Sequence, residues 1–413
     1  MQMQPNGRTI EGLLFEALVK AGAVSEDNAD DPTKLGLQRA ARTDAGVHAA
    51  GNLVSLKLIT AIPGVDDFVG HVNSFLTPEI RMWGFVRARN SFNACDSRVY
   101  EYLFPTYVLI PPKPGTAMYE ALKRANQAAY NTEASSTSQA DVHPFWNDAI
   151  TGSSSEEEMA RKRSWRVPAE EVEKLRSYVQ KYEGTHNFHN YTVGKEFSDL
   201  STKRYMMKIE IRDPAVYGDT EWISVRIHGQ SFMLHQRKMI SLVILSCRSN
   251  APSQLIPETY GPKQIQIPKA PSLGLLLEQP QFGSYNLKVK ETNDRIKDGD
   301  PDAENHRHSP IDYEIYREMI DAFKVKHIYE RMRLEEAEND VFDTWLRSVD
   351  SYSGDDFGYL NPRGVIPPSA VVKRDTKRNS GKKGDGKRVA GVGTADSDDE
   401  VDISMLASAD MEG

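Results

Sequence analysis

Segments in which every second residue is apolar recur along this chain of 413 residues, and each lies near a helix-like stripe. Side chains of a strand point alternately to two faces, so such a segment buries one face in a core. The pattern occurs twice in succession. Two successive sets of mixed strands and helices predict an α+β protein with two subdomains built on antiparallel sheets. The strand-like segments are residues 52–58, 80–89, 98–108, 205–211 and 223–227, and the helix-like segments are residues 9–21, 66–76, 172–182 and 233–248.

These two sets suggest where the subdomains begin and end. Residues 1–95 are expected to form an N-terminal subdomain, and residues 96–285 a C-terminal subdomain. A stretch rich in Ser, Gly and acidic residues interrupts the second set, which predicts a surface insertion at residues 134–164. Several apolar side chains are expected to face inward in these elements, among them Ile10, Phe75, Tyr205 and Met207.

The remainder of the chain divides into an extension and a tail. Residues 286–350 are predicted to contain a polar linker and then an accessory helix over residues 311–333. From residue 351 the periodicity is lost and Gly, Lys, Ser and Asp dominate, so residues 351–413 are predicted to be a disordered tail. The buried face of the accessory helix is predicted to contain Ile315, Met319, Phe323 and Met332.

The composition argues against several classes of protein. The only cysteines are Cys95 and Cys247, which lack metal-ligand spacing, so neither a disulfide framework nor a Cys-rich zinc site is expected. No apolar run reaches the length of about 18 residues that a membrane span needs, and no signal-peptide pattern is visible. The net charge of −8 disfavours a polyanion partner, but acidic and basic residues are segregated, which is compatible with an RNA-binding face.

The segment RAARTDAGVHAAGNLVSLKL at residues 39–58 is the most informative stretch of the chain. It predicts a tight loop leading into a strand, with Asp44, Gly46 and His48 close together. A lone aspartate in such a loop is commonly a turn residue whose side chain caps nearby amides. The eight-residue string RTDAGVHA is more specific, because it resembles the catalytic signature of the TruA-type tRNA pseudouridine synthases.

Further segments resemble motifs of the same family in the same order. The likeness spans residues 7–285 and is closest to the eukaryotic nuclear branch of the family. The matching segments are SRVYEY at residues 97–102, GTHNF at residues 184–188, GQSFMLHQRKM at residues 229–239, and the strand-like segment at residues 271–277.

The resemblance implies an enzyme that isomerises uridine to pseudouridine in tRNA, and in this branch also in snRNA and mRNA. It implies a central RNA-binding cleft between the two subdomains, with Asp44 as the catalytic residue at its floor. Tyr100 would lie over the target base, and Arg237 would pair with Asp44. Taken alone, Tyr100 would be interpreted as a core strand residue and Arg237 as a phosphate or surface contact. The reaction involves no redox change and no external group, so no cofactor and no metal are expected.

Basic side chains in these motifs are candidates for RNA contacts. The target base must leave its stack before it can react, and the resemblance implies that Arg42 enters the vacated position. A plain phosphate contact is the alternative for Arg42. His48, Arg98 and Lys238 are the other candidate RNA-binding residues, although a packed structural role is the commoner one for a histidine such as His48.

A metal site at the H-x-x-H pair of His186 and His189 is disfavoured. Such a site needs two further ligands, and no cysteine or acidic cluster in the sequence supplies them. A structural or RNA-facing role is therefore the preferred interpretation of this pair.

Two rival functions stay open at this point. The first is a noncatalytic RNA-binding protein, because the family's opening strand is not found and the sequence begins inside the loop that follows it. A vacant strand position would leave backbone groups unpaired, unless the true start lies upstream. Retention of Asp44, Tyr100 and Arg237 counts against this rival. The second is a nucleotide-binding metabolic enzyme, which is disfavoured because both glycine-rich phosphate motifs are missing.

The basic run KRDTKRNSGKKGDGKR at residues 373–388 has three interpretations. It is typical of a nuclear localisation signal, of a nonspecific RNA-binding tail, or of a solvated linker. With the resemblance to the nuclear branch, we expect a nuclear protein without membrane contact. We also expect a monomer, because the eukaryotic branch of the family is monomeric whereas its bacterial members are dimers.

Overall fold

The computed structural model describes residues 8–88, 95–130, 142–147, 154–297 and 303–372. These ranges fold as a mixture of helices and strands, so the predicted α+β class is confirmed. None of their helices has the length and apolar character of a membrane span. The helices are α1 (Ile10–Lys20), α2 (Phe68–Asn73), α3 (Ala117–Tyr130), α4 (Pro144–Asn147), α5 (Ser155–Ser164), α6 (Ala169–Val179), α7 (Lys238–Ser249), α8 (Leu255–Glu258), α9 (Gly283–Asn293), α10 (Ala303–His306), α11 (Arg317–Phe323), α12 (Glu330–Asn339) and α13 (Val341–Ser351).

A seven-stranded sheet forms the centre of the molecule. Its strand order is β2-β9-β4-β8-β6-β5, and β7 pairs with β8 outside this path. The pairs are antiparallel except for β2 and β9, which run parallel. A separate two-stranded sheet joins β1 to β3. The strands are β1 (Gln38–Arg39), β2 (His48–Ala49), β3 (Val54–Ser55), β4 (Ser97–Pro105), β5 (Gly184–Asn187), β6 (Lys203–Ile211), β7 (Ala215–Tyr217), β8 (Thr220–Gly229) and β9 (Leu275–Gln281).

The apolar side chains form two clusters. The smaller one lies under α1 and α2 and includes Leu18 and Val72. The larger one surrounds the central sheet and extends from Ala50 to Ala370 in sequence. The N-terminal part is thus a packing unit of its own, but it also contributes β2 to the central sheet. This strand joins the loop after β1 to the core, and that loop is the one that carries Asp44.

Helix α1 follows the sequence expectation closely. The Thr9 hydroxyl accepts a hydrogen bond from Gly12 N at 3.1 Å, which is an N-cap worth about 1 kcal/mol. The helix ends before Gly22, whose φ of +76° suits a glycine. Two inward positions were predicted incorrectly, because Ile10 is 45% exposed and Phe75, just beyond α2, is 40% exposed.

The N-terminal strands are shorter than the alternation predicts. Of residues 52–58 only Val54–Ser55 forms a strand, and residues 81–88 belong to no strand or helix. Helix α7 starts at Lys238 rather than at residue 233, because the preceding residues form a turn in which His235 has a φ of +60°.

A β-bulge in β6 explains another difference. The pairing of β6 with β8 shifts register between Met206 and Lys208, so β6 has one extra residue at this point. Side chains before the bulge therefore point to the opposite face from the one that strict alternation predicts. Met206 is therefore buried, whereas Tyr205 and Met207 are each 43% exposed. The prediction that Tyr205 and Met207 share the inward face with Ile209 was wrong for this reason.

The insertion predicted at residues 134–164 is partly a packed helix. Residues 131–141 and 148–153 lie outside the described ranges. The remainder contains α4 and α5, and α5 begins with a complete capping box between Ser154 and Glu157. Met159 and Lys162 of α5 are buried, so the described part of the predicted surface insertion includes a helix that packs on the protein.

The accessory helix lies where the sequence places it, but it buries a different face. A π-helical segment (Lys324–Tyr329) separates α11 from α12. Ile315 and Met319 are 68% and 51% exposed, contrary to prediction. The wider turn of a π-helix favours a four-residue spacing, and the buried positions follow it at Ile320, Lys324, Ile328 and Met332. The predicted linker also differs, because residues 283–293 form α9.

The first part of the predicted disordered tail is ordered. Residues 351–372 pack on the core, with Phe357, Tyr359 and Leu360 buried. The Tyr359 hydroxyl donates to the Gln266 carbonyl oxygen at 2.9 Å. The burial of these three apolar side chains orders a short stretch in which the sequence shows no regular apolar pattern. The rest of that prediction, residues 373–413, lies outside the described residues.

Candidate active site

The loop between β1 and β2 carries Asp44 and is anchored at its start. The Asn52 amide nitrogen donates to Ala41 O at 2.9 Å, and the Asn52 amide oxygen accepts from Ala41 N at 3.2 Å. The Arg98 guanidinium donates to Ala40 O at 2.7 Å. Three hydrogen bonds, two with Asn52 and one from Arg98 of β4, therefore fix where the loop leaves the small sheet.

The turn after Asp44 requires a glycine. Val47 N donates to Asp44 O at 3.3 Å, and Gly46 adopts a φ of +72°. Side chains of L residues rarely adopt this conformation, and a Cβ at Gly46 would lie 3.2 Å from Ser272 Oγ. Gly46 thus lets the loop approach the segment before β9, while the Asp44 side chain stays 41% exposed.

Arg237 faces Asp44 across the site. Its Nη1 lies 3.9 Å from Asp44 Oδ2, which is the outer limit of an ion pair. The Arg237 side chain is only 9% exposed, so packing at the start of α7 holds the guanidinium in place. Its Nε is buried and finds no hydrogen-bond acceptor in the part of the chain that the structure describes.

Tyr100 lies beside this pair on the central strand β4. Its ring packs edge to face on Phe232, with centroids 4.7 Å apart. Burial raises the pKa of Tyr100 to about 12, Arg98 opposes this shift, and the charge of Asp44 adds to it. The hydroxyl is therefore protonated at neutral pH, and Asp44 is close enough to act on it electrostatically.

His235 also belongs to this cluster, although the sequence analysis did not single it out. It has the left-handed φ of +60°, and its buried Nδ1 has no hydrogen-bond partner among the described residues. Burial lowers its pKa, and Lys269 and Arg237 lower it further, whereas Asp44 acts in the opposite direction. The only sequence signal was its position in the motif just ahead of Arg237. Phe232, whose ring packs on Tyr100, was also missed, because its position in the same motif was its only signal in the sequence.

The four predicted RNA-contact residues differ in their exposure and in the contacts that they make. Arg42 is exposed on the loop, two residues before Asp44. Arg98 is engaged with the Ala40 carbonyl, as described above. His48 is half-buried in β2, where burial, and to a lesser degree Arg331, lowers its pKa. Lys238 is only 4% exposed, so its predicted contact with RNA is corrected to a buried position in the first turn of α7.

The H-x-x-H pair is occupied in packing. The His186 ring stacks on Tyr260 with centroids 4.2 Å apart and planes at 6°, and its Nε2 lies 2.8 Å from the Glu183 carbonyl oxygen. His189 is 2% exposed. Among the described residues, no group of three or more His, Cys, Asp or Glu side chains is arranged to hold a metal. These observations agree with the structural interpretation of the pair.

Comparison of the sequence with known proteins gives matches to one family. The sequence profile described as "tRNA pseudouridine synthase" matches residues 178–283. A protein of Eremothecium gossypii named "tRNA pseudouridine synthase 1" is 40% identical over 391 residues, covering 86% of this chain and 71% of that protein. Its namesake in Yarrowia lipolytica is 39% identical over 443 residues, covering 97% and 80%. The "tRNA pseudouridine(27/28) synthase" of Saccharomyces cerevisiae is 36% identical over 321 residues, covering 70% and 82%.

Proposed function

Because the chain belongs to the TruA-type tRNA pseudouridine synthase family, we propose that it converts uridine to pseudouridine in tRNA with Asp44 as the essential carboxylate. One observation carries the proposal. Asp44, Tyr100 and Arg237 come from three distant parts of the chain, yet they meet at one end of the central sheet. A noncatalytic RNA-binding protein would have no use for this trio.

The reaction suits these side chains. The bond between N1 of uracil and C1′ of the ribose breaks, the ring turns, and a bond from C5 to C1′ forms. The proton of C5 is lost and N1 gains one, so atoms and electrons balance without a cofactor. Asp44 acts either as a nucleophile on the nucleotide or by assisting cleavage through a glycal, and both routes stay open. Arg237 holds the carboxylate in its position during either route.

Tyr100 is the proposed platform for the uracil ring. Its edge-to-face contact with Phe232 fixes the ring plane beside Asp44. A hydroxyl whose pKa is raised to about 12 by burial keeps its proton at neutral pH, so it is able to donate a hydrogen bond to the base or to pass a proton.

The base has to be extruded from the folded RNA before it reaches this site. Arg42 is exposed on the Asp44 loop, and we propose that it enters the position that the base vacates. Arg98 acts indirectly, since its hydrogen bond to Ala40 anchors the loop that carries both residues.

The proposal is tested by incubating the full-length protein with an in vitro transcribed tRNA and mapping pseudouridine at nucleotide resolution by carbodiimide-primer extension. We expect new pseudouridine at one or a few uridines. A folded sample that binds tRNA in a salt-dependent manner but leaves every uridine unchanged would establish the RNA-binding alternative instead.

Two finer parts of the proposal concern substrate range and assembly. We propose that snRNA and mRNA are also modified, which the same mapping on those transcripts tests. We further propose that the protein acts as a monomer, so its mass in solution should equal the 46.4 kDa of one chain. A mass near twice that value would contradict the second part.

We also propose that the protein works in the nucleus, because residues 373–388 combine eight basic residues in sixteen positions. A fluorescent fusion of the full chain should concentrate in the nucleus. A fusion in which the lysines and arginines of this run are replaced by glutamine should spread into the cytoplasm. Equal distribution of the two fusions would remove the basis for this assignment.

A further inference from the structure

A cavity of about 430 Å³ lies between the central sheet and the π-helical segment. It is on the opposite face of the sheet from the candidate active site. Side chains alternate along a strand, and Glu101 of β4 points to the π-helical segment, where Tyr329 Oη donates to it at 2.6 Å. The neighbouring Tyr100 therefore points to the other face. The volume is in the range of sites for small ligands.

Glu278, which lines the cavity, and the neighbouring Glu101, which does not, are both already engaged. Glu278 Oε2 accepts a hydrogen bond from Lys324 Nζ at 2.6 Å, and both side chains are at most 6% exposed. Glu101 accepts from the hydroxyls of Ser224 and Tyr329, and Lys324 Nζ lies 3.6 Å from its Oε2. Buried charges persist only when they are paired and hydrogen-bonded. Lys324 and the two hydroxyls therefore stabilise both carboxylates, although one lysine offsets only one of their two charges.

The arginines at the rim are less engaged. Arg226 lines the cavity half-buried and has no hydrogen bond or ion pair among the described residues. Its two cross-strand neighbours are carboxylates that are engaged elsewhere. Glu210 forms an ion pair with Lys208, and Glu101 accepts hydrogen bonds from Ser224 and Tyr329. Arg212 is 57% exposed and lies 3.8 Å from Glu101, too far for a hydrogen bond.

Arg317 completes the rim. Its ion pairs are with Glu314, which is 65% exposed, and more distantly with Glu278 at 3.6 Å. An exposed pair of this kind contributes little and exchanges readily for a better anion. Besides these groups the cavity has one further charged lining residue, Asp321. Counting Lys324, four cations thus face the three carboxylates Glu278, Asp321 and Glu101, which leaves an excess of one positive charge at the cavity.

We propose that this cavity binds a phosphate group, with Arg226 as its central contact and Arg212 and Arg317 at the sides. A guanidinium presents paired donors that fit two phosphate oxygens, which makes arginine well suited to such a ligand. The expected source is a phosphodiester of bound RNA, and this part rests on the proposed function. The position of the cavity implies that RNA contacts both the active-site face and the face covered by the accessory helix.

The first experiment measures phosphate binding without RNA. The midpoint of thermal unfolding of the full-length protein is followed as inorganic phosphate replaces chloride at constant ionic strength. We expect a saturable rise of about 2–5 °C. Arg226→Gln should abolish the rise and Arg212→Gln should reduce it. Arg124→Gln, a matched change at an exposed arginine of α3, should leave it intact.

The second experiment separates the two sources of phosphate. In filter binding across a salt series, Arg226→Gln should weaken tRNA affinity about 3- to 10-fold and reduce the salt slope by about one, because one phosphate contact is lost. An unchanged tRNA affinity together with a lost phosphate response would assign the site to a free or small-molecule phosphate. At saturating tRNA the variant should still form pseudouridine, so failure of this inference differs from failure of the proposed function.

The inference is overturned if inorganic phosphate produces no saturable rise in the wild type and neither variant weakens tRNA binding. The cavity would then be a packing gap left by the wide π-helical turn. If Arg226→Gln does not fold, the single variant Arg212→Gln decides, because its side chain is mostly exposed and its loss is tolerated.

Discussion

Asp44→Asn is expected to lower the rate of pseudouridine formation by about 10⁴-fold or more, while tRNA affinity changes less than about threefold. Asparagine keeps the shape of the side chain but provides neither a charge nor a competent nucleophile. The Asp44 side chain is 41% exposed and 3.9 Å from Arg237, so losing this ion pair should change the free energy of unfolding by less than about 1 kcal/mol. Tritium release from C5-labelled tRNA measures the rate, and filter binding measures the affinity.

A matched control makes this result specific. Asp213→Asn removes an aspartate that is 90% exposed, paired with Arg176 and outside the motifs, and it should leave both measurements unchanged. Asp44→Glu retains the charge but moves it by one methylene, and it should remain strongly impaired because the reacting atoms must be held to within a fraction of an ångström. If Asp44→Asn retains more than about one hundredth of the wild-type rate, Asp44 is not the essential carboxylate.

The loop of Asp44 and the strand of Tyr100 could be predicted from the sequence, because neighbouring residues determine both. The eight residues RTDAGVHA specify a loop with a glycine in the left-handed region, and Gly46 adopts that conformation. Tyr100 was placed on a strand by alternation, and it lies on β4. Bringing Asp44 and Arg237 together required the resemblance to a family, because no periodicity links two segments so distant in the chain.

Other features depended on tertiary packing and were missed. The β-bulge between Met206 and Lys208 reverses a facing pattern that the residue types alone do not reveal. The π-helical segment shifts the buried face of the accessory helix to a row containing Lys324. A lysine on a helix is normally assigned to solvent. Only the two carboxylates that the sheet presents from β4 and β9 make its burial favourable.

This buried lysine gives the largest expected effect on stability. Lys324 is 5% exposed, and its Nζ lies 2.6 Å from Glu278 Oε2 and 3.6 Å from Glu101 Oε2. Lys324→Met should lower the free energy of unfolding at pH 7 by about 3–5 kcal/mol, because two buried carboxylates lose their shared counter-charge. Urea unfolding followed by fluorescence measures the change. Lys326→Met, at an exposed position of the same π-helical segment, should change it by less than about 0.5 kcal/mol.

The pH dependence of this loss distinguishes charge from packing. Burial acts to raise the pKa of Glu101, but Lys324 and the hydroxyls of Ser224 and Tyr329 outweigh it, so the pKa is lowered. A carboxyl with a lowered pKa stabilises the folded protein above its unfolded pKa, and this contribution disappears as the pH falls through the folded value. In Lys324→Met the Glu101 carboxyl takes up a proton more readily. Protonation removes its uncompensated buried charge, so the variant loses less stability at low pH.

The stability gap between wild type and Lys324→Met should therefore narrow from about pH 7 to about pH 4, the range in which glutamates become protonated. Adding Glu278→Gln to the variant should recover part of the loss at pH 7, because one of the two uncompensated charges is then gone. A gap that stays constant over this range, with no recovery in the double variant, would assign the loss to the methylene stem of Lys324 and remove the electrostatic explanation for its burial.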